Sequence, residues 1–581
     1  MSGTPVYPDP TGISTSYTTK SFNFSLASTT LANSDYSDEQ LAFLWDQVGP
    51  IATATITTTV SPTPEPSVYP NPKSGFHPYV PSYEPALHDS KLPANFQWGF
   101  ASAAYQIEGA AKDEGKGPSI WDLLAHRVPN HVADNTTADI TANQYYLYKQ
   151  DFARVKALGI PAYSFSVSWP RIFPFGKGPI NEAGVAHYDD VVAELLKIGV
   201  TPAITLFHWD TPLALFNEYG AWTDAQIVDD YFNYATFIIQ RYGDYVKHWF
   251  TINEPQYCNF QYQSYPAGEY YPAYHGISGG NPARFTCGHY TLLAHAKVAK
   301  WYHEVYKGKG RITFKNSGNY FQANSSSEAD AVAVQRQYDF SLGWFNHGPW
   351  IDGDYPQSLK DTLGDILPTY TAEEKAIIKG SCDFFAIDGY TAYYAAGLPD
   401  FEACTSNSTD PRYPECAASV NHGHDGFPTG PSSDAGATWL WSTPLGVRGL
   451  LSDITNMFPS VPDLQVTEFG FAEPGEAQLT SLDQILWDLR RADYYQSYLD
   501  NILASMVYDG VNVTGIWGWA IMDNFEWASG LGTRFGLQYT NYTDFTRTPK
   551  ASMFTFLNWL KLHGETGAGG SGNYSEPTLP V

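Results

Sequence analysis

The chain has 581 residues, 43% of them apolar and 16% charged. That is enough for one large α/β barrel or two to four ordinary domains, and it excludes a globally disordered chain. A net charge of −27 repels phosphate backbones and anionic headgroups, which speaks against nucleic acid and membrane surfaces as partners. No apolar run approaches the roughly 20 residues of a membrane span. Aromatics make up 16% of the chain, including 17 Trp. They serve as core and rim packing or as sugar-stacking platforms, and composition alone favours packing.

Residues 1–90 differ from the rest and are expected to be an N-terminal extension and linker rather than a domain. "MSGTPVYPDPTG" has neither the basic start nor the apolar stretch of a signal peptide. "SDEQLAFLWDQ" (37–47) predicts one short amphipathic helix behind a Ser/Asp cap, and "IATATITTTVSPTPEPSVYPNPKSG" (51–75) is an extended Thr/Pro/Ser-rich stretch. Sequons at Asn23, Asn135, Asn324, Asn407, Asn512, Asn541 and Asn573 nonetheless fit a glycosylated, exported chain. The expectation is a secreted protein whose signal has been removed, with a cytosolic or vacuolar location left open.

From residue 91 to 563, apolar strand-like runs alternate with helical spacing. The runs are 96–105, 161–169, 201–209, 248–255, 311–318, 383–391, 463–470 and 513–523. Eight near-continuous apolar strands separated by helices predict a (β/α)8 TIM barrel. A doubly wound sheet would carry a Gly-rich phosphate turn after its first strand, and none is present. The segment 396–440 reads as a long loop after the sixth strand, either a lid over the barrel mouth or a surface elaboration, with Trp439 and Trp441 placed to line an entrance. Cys404 and Cys416 suit a disulfide stapling that loop, Cys258 and Cys287 a second, and Cys382 a buried free thiol. Residues 564–581 read as a flexible tail.

An ionised carboxylate in an apolar strand is costly unless it is paired or sits at a rim. Glu254 in "TINEP" ends the fourth run and Glu468 in "VTEFG" ends the seventh. A barrel gathers function at the C-terminal ends of its strands, so the two would face each other across the mouth. Such a pair fits glycosidic cleavage, one group protonated to serve the leaving oxygen and one ionised to attack the anomeric carbon. No cofactor or metal is needed.

Seven motifs occur in order along this region: "FQWGFASAAYQIEGAAKDEGKGPSIWD", "SVSWPRIFPFG", "LFHWDTP", "TINEP", "VTEFGFAE", "WGWAIMDNFEWASG" and "TRFGL". Together they resemble the glycoside hydrolase family 1 β-glucosidases. The resemblance implies a retaining β-glycosidase acting on β-glucosides or oligosaccharides. It implies Glu254 as acid/base and Glu468 as nucleophile. Gln106, His208, Asn253 and Glu526 would hold sugar hydroxyls, Trp519 would stack under the ring, Trp527 would offer its indole N–H, and Tyr390 would donate to Glu468. Glu526, where phosphosugar-cleaving relatives carry Ser, argues against a phosphorylated substrate, and Glu254 separates the chain from myrosinase-like members with Gln.

Four positions depart from the family pattern: Ser164 for an Arg before "FSVSW", Asp388 for Asn after strand 6, Phe469 for Asn beside the nucleophile, and Tyr146 for His. Loss of the strand-2 cation removes a charge that holds the nucleophile ionised. Arg171 or another donor is expected to compensate. The competing readings are a transglycosidase and a catalytically impaired barrel that binds sugar.

Overall fold

In a computed structural model, residues 36–72, 85–263 and 277–564 are described. All eight predicted runs form strands: β1 (Gln97–Ala101), β2 (Ala162–Ser166), β3 (Thr201–Thr205), β4 (His248–Asn253), β5 (Arg311–Ser317), β6 (Phe385–Asp388), β7 (Leu464–Phe469) and β8 (Val513–Trp519). Each pairs in parallel with the next, and β8 returns to β1, with Gln97 against Gly515 and Ala101 against Trp519, closing the barrel. The strands are buried almost throughout because helices cover one face and the lumen the other. Helices Gln144–Ala157, Glu182–Lys197, Gln226–Tyr242, Asn281–Trp301, Glu328–Tyr338, Pro444–Met457 and Leu489–Tyr508 fill the connections, and Ala551–His563 follows β8.

The lower lumen is plugged. Phe250, Phe384 and Trp517 interlock with Ala162, Ala203 and Ala386, all buried. Small residues opposite large ones fill the barrel to interior density. The open space is therefore confined to the C-terminal end.

The segment after β6 is not a plain loop. Ala392–Gly397 and Ala417–Val420 pair with each other, and the first also pairs with Tyr320–Ala323, giving a three-stranded sheet at the mouth. Cys404–Cys416 staples this elaboration, Cys258–Cys287 ties the chain after β4 to the helix Asn281–Trp301, and Cys382 is buried and free.

The N-terminal segment is docked on the barrel. Ser37 caps the helix Asp38–Val48 by accepting from the Gln40 N–H, and Trp45 buries its ring while donating to the Lys116 carbonyl at 2.9 Å. Farther on, Ala52 N–H donates to Asp139 and Val60 N–H to the Tyr146 carbonyl. Residues 1–35 and the tail from 565, with the sequons at Asn23 and Asn573, lie outside the described residues. Among the described residues, no helix is long and apolar enough to cross a membrane.

Candidate active site

A cavity of about 430 Å³ opens at the C-terminal end of the barrel. Its walls include His208, Asn253, Glu254, Asp388, Tyr390, Glu468, Trp519, Glu526 and Trp527. Gln106 does not line it. Its amide lies behind Glu526, donating to the Phe525 carbonyl at 2.9 Å and to Glu526 at 3.4 Å.

Glu254 follows β4 directly, with a backbone φ of +44°, and Trp209 and Trp527 beside it have φ of +71° and +47°. The left-handed region costs a non-glycine residue about 1 kcal/mol or more. Three such residues in one wall show the surrounding packing imposing the cavity's shape. Glu468, near the end of β7, faces inward, and one of its carboxylate oxygens lies within 4.8 Å of one from Glu254. Gly470 follows because a side chain there would meet the Trp519 carbonyl at 2.0 Å, so only glycine lets β7 and β8 approach this closely.

Both oxygens of Glu468 are held. Tyr390 donates to Oε2 at 3.0 Å, and the Lys315 ammonium donates to Oε1 at 2.8 Å. Lys315 is buried on β5. Burial alone would push its ammonium down, but the Glu468 carboxylate that it bonds directly outweighs burial and holds it above its ordinary value. The compensating cation therefore comes from β5. Arg171 does not fill the role: its guanidinium pairs with Glu108 at 3.1 Å, donates to the Gly109 carbonyl and covers the Tyr145 ring.

Glu254 carries the opposite bias. Burial first, then the negative charge of Glu468, pushes its carboxyl up to about 8, against the pull of Lys315. Glu526 is also pushed up to about 8 by burial and Glu468. His208 is driven well below its usual range by burial and by Lys315, so it is neutral. Gln106 Oε1, His208 Nδ1 and Asn253 Oδ1 are buried with no hydrogen-bond partner among the described residues. Unpaired buried polar atoms are costly, so His208 Nδ1 and Asn253 Oδ1, whose residues line the cavity, are atoms a polyhydroxylated ligand would satisfy.

The loop bearing Glu526 and Trp527 is fixed from below by a buried charge network. Lys550 bridges Asp523 at 2.8 Å and Glu476 at 2.5 Å, and Arg491 joins Glu476, Asp488 and the Phe471 carbonyl. The loops after β7 and β8 are thereby tied to one set of charges.

The remaining departures separate cleanly. Phe469 faces away from the cavity and packs on Tyr495, Tyr498 and Phe556. Tyr146 lies under the docked N-terminal segment, donating its hydroxyl to Asp113. Ser164 is buried and brings no charge. Asp388 lines the cavity next to Glu468. Trp439 lines the mouth, but Trp441 does not, its ring lying against His422.

A closed barrel with two unlike carboxyls across its mouth fits a glycoside-cleaving enzyme, and the comparisons establish that class. The sequence model of glycosyl hydrolase family 1 matches residues 88–565. The chain is 37% identical to beta-glucosidase 40 of Arabidopsis thaliana over 489 residues, 81% of this chain and 92% of that protein. It is equally 37% identical to beta-glucosidase 12 of Oryza sativa subsp. indica, over 83% of this chain and 95% of that one. Among solved structures it is similar to a family 1 beta-glucosidase from the fungus Humicola insolens in complex with glucose, with TM-score 0.75 and 34% identity, covering 82% of this chain and 99% of that one. The chain belongs to glycosyl hydrolase family 1 and is a glycosidase.

The sequence reading missed Lys315. Its signal was weaker than that of Glu468: a charged residue in the interior of a strand-like run, "RITFKNSG", that also holds Arg311 and Asn316.

Proposed function

We propose that this enzyme removes terminal β-D-glucosyl residues from β-glucosides by a two-step retaining mechanism. The observation that carries the proposal is the Glu254–Glu468 pair: oxygens within 4.8 Å, one carboxyl pushed to about 8 and the other paired with a cation. This approach is nearer the roughly 5–5.5 Å of retaining pairs than the roughly 6.5–9.5 Å that leaves room for an inverting water. In the first step a Glu468 oxygen bonds to the anomeric carbon. The bond to the leaving oxygen breaks, and that oxygen takes the proton of Glu254. In the second, Glu254, now ionised, takes a proton from water, whose oxygen displaces Glu468. His208, Asn253 and Glu526, with Gln106 behind, hold the sugar hydroxyls, while Trp519 and Trp527 supply aromatic surface. The test is the anomer first released from an aryl β-glucoside, followed by proton NMR before mutarotation. The β-anomer is expected, and the α-anomer would overturn the mechanism.

The location belongs to the same proposal. Two disulfides and exposed sequons at Asn135, Asn407 and Asn512 support an exported glycoprotein. Endoglycosidase treatment of the protein from its natural source is expected to lower its mass. An unchanged mass contradicts glycosylation.

A further inference from the structure

We propose that Lys315 and Asp388 are positioning residues that set the charge of the nucleophile: Lys315 holds Glu468 ionised from β5, and Asp388 stands beside it as a neutral acid. This inference rests on the catalytic roles given above to Glu254 and Glu468.

Among the described residues, Lys315 is the cation in direct contact with Glu468, and it is buried. One ammonium neutralises one carboxylate. A second carboxylate ionised beside the pair would leave a net negative charge away from water, which is costly. Asp388 is that second carboxyl. It ends β6, is buried, and brings an oxygen within 4.8 Å of both Glu254 and Glu468. Its Oδ1 accepts from Thr467 at 2.6 Å, and its Oδ2 has no partner among the described residues. An ionised carboxylate would hold one hydrogen bond where it could take about four. Burial, then the charge of Glu468, pushes its carboxyl well above the usual range, with Lys315 pulling the other way.

The other groups facing the pair are neutral in the resting enzyme. Glu254 after β4 and Glu526 after β8 are pushed up to about 8, and Tyr390 after β6 is raised far beyond neutrality, each with burial as the leading cause. His208 after β3 is uncharged, because burial first and then Lys315 hold it below its usual range.

The count also holds through the reaction. When Glu468 becomes an ester it loses its charge. The proton of Glu254 leaves with the departing oxygen, so Glu254 becomes the anion. Lys315 keeps one counterion throughout and feels both. A cation placed only against Glu468 would lose its partner in the intermediate.

The experiment has two readouts. The first is the pH dependence of kcat/KM on an activated aryl β-glucoside for wild type, Lys315→Met, Lys315→Arg and Asp388→Asn, with circular dichroism to check folding. Lys315→Met is expected to lose on the order of a hundredfold and to move the acidic limb up by about one pH unit or more, with Lys315→Arg restoring the limb. Asp388→Asn, an isostere of the neutral acid, is expected to keep the acidic limb in place. An unmoved limb in Lys315→Met, or a limb that moves down in Asp388→Asn, overturns the proposal. The second readout is the infrared carbonyl stretch of buried protonated carboxyls at pH 6, which needs no turnover. Asp388→Asn is expected to lose one such band and Lys315→Met to gain one. No band lost in Asp388→Asn overturns the neutral Asp388, even if Lys315→Met fails to fold. A wild type that shows the bands but cleaves no β-glycoside refutes the catalytic reading and leaves the charge arrangement standing.

Discussion

If Glu254 donates the proton to the leaving group, the enzyme must fail in alkali at a place its surroundings determine. Burial and the charge of Glu468 put this carboxyl at about 8. The sign follows directly: a raised acid is protonated below that pH and loses its proton as pH rises through it. About 99% of the enzyme then carries the proton at pH 6, about half at pH 8, and about a tenth at pH 9. For an alkyl β-glucoside, whose leaving oxygen needs the proton, kcat/KM should be flat below pH 7 and fall about tenfold per unit above pH 8. Glu526 is pushed to the same range, so the limb must be assigned by substitution. Glu254→Gln should lower the alkyl rate by about 10²–10⁴-fold and abolish the limb. A dinitrophenyl glucoside, whose leaving group needs no proton, should still glycosylate Glu468 in this variant. Deglycosylation would then stall for want of a base, and azide should relieve the stall. Glu526→Gln should act mainly through sugar binding and keep the limb. If Glu254→Gln cleaves the alkyl glucoside at more than a tenth of the wild-type rate, or keeps its limb near pH 8, the assignment of Glu254 is wrong.

Three further expectations follow from the packing. Arg491→Met leaves Glu476 and Asp488 buried without their shared cation. It should cost about 3–5 kcal/mol, or about 3–5 °C in Tm for a barrel of this size, and an unchanged melt in calorimetry would contradict the network's role. The charges of Lys550, Arg534 and Arg491 overcome burial and hold Asp523 below the usual carboxylate range. Its contribution to stability is therefore present above about pH 4 and lost as pH falls below it, so Tm should drop between pH 5 and pH 3. Trp45→Ala should cost about 3 kcal/mol, because the ring is buried against the barrel. A denaturant midpoint equal to wild type would mean that the N-terminal segment does not dock in solution.

The barrel was legible because eight short strand-like runs, most of them largely apolar, alternate with helical spacing, as in a parallel sheet buried on both faces. Glu254 and Glu468 stood out as charges at the ends of such runs. Lys315 carried the same signal, but a lysine reads as a solvated side chain until a carboxylate is known to lie across the lumen. Its partner is 153 residues away in the chain, so no local pattern joins them. The failure of Arg171 to compensate has a related cause: Glu108 claims it, and that pairing also spans distant segments. Phe469 looked disruptive because it adjoins Glu468 in sequence. In a strand, neighbours face opposite ways, and Phe469 belongs to the helix-facing side. The sheet over the mouth was missed because its strands, "YFQA", "AYYAAG" and "AASV", are half-exposed and carry no continuous run of buried apolar residues.

The central step of the proposed reaction is the attack of Glu468 on a sugar. Incubation with an activated 2-deoxy-2-fluoro-β-glucoside tests this directly, since the fluorine weakens the second step and lets a covalent intermediate accumulate. Peptide mapping by mass spectrometry should find one fluoroglucosyl group, on Glu468 in "VTEFGFAE". A label on another residue, or no label in an enzyme that still cleaves aryl β-glucosides, would contradict the assignment of the nucleophile.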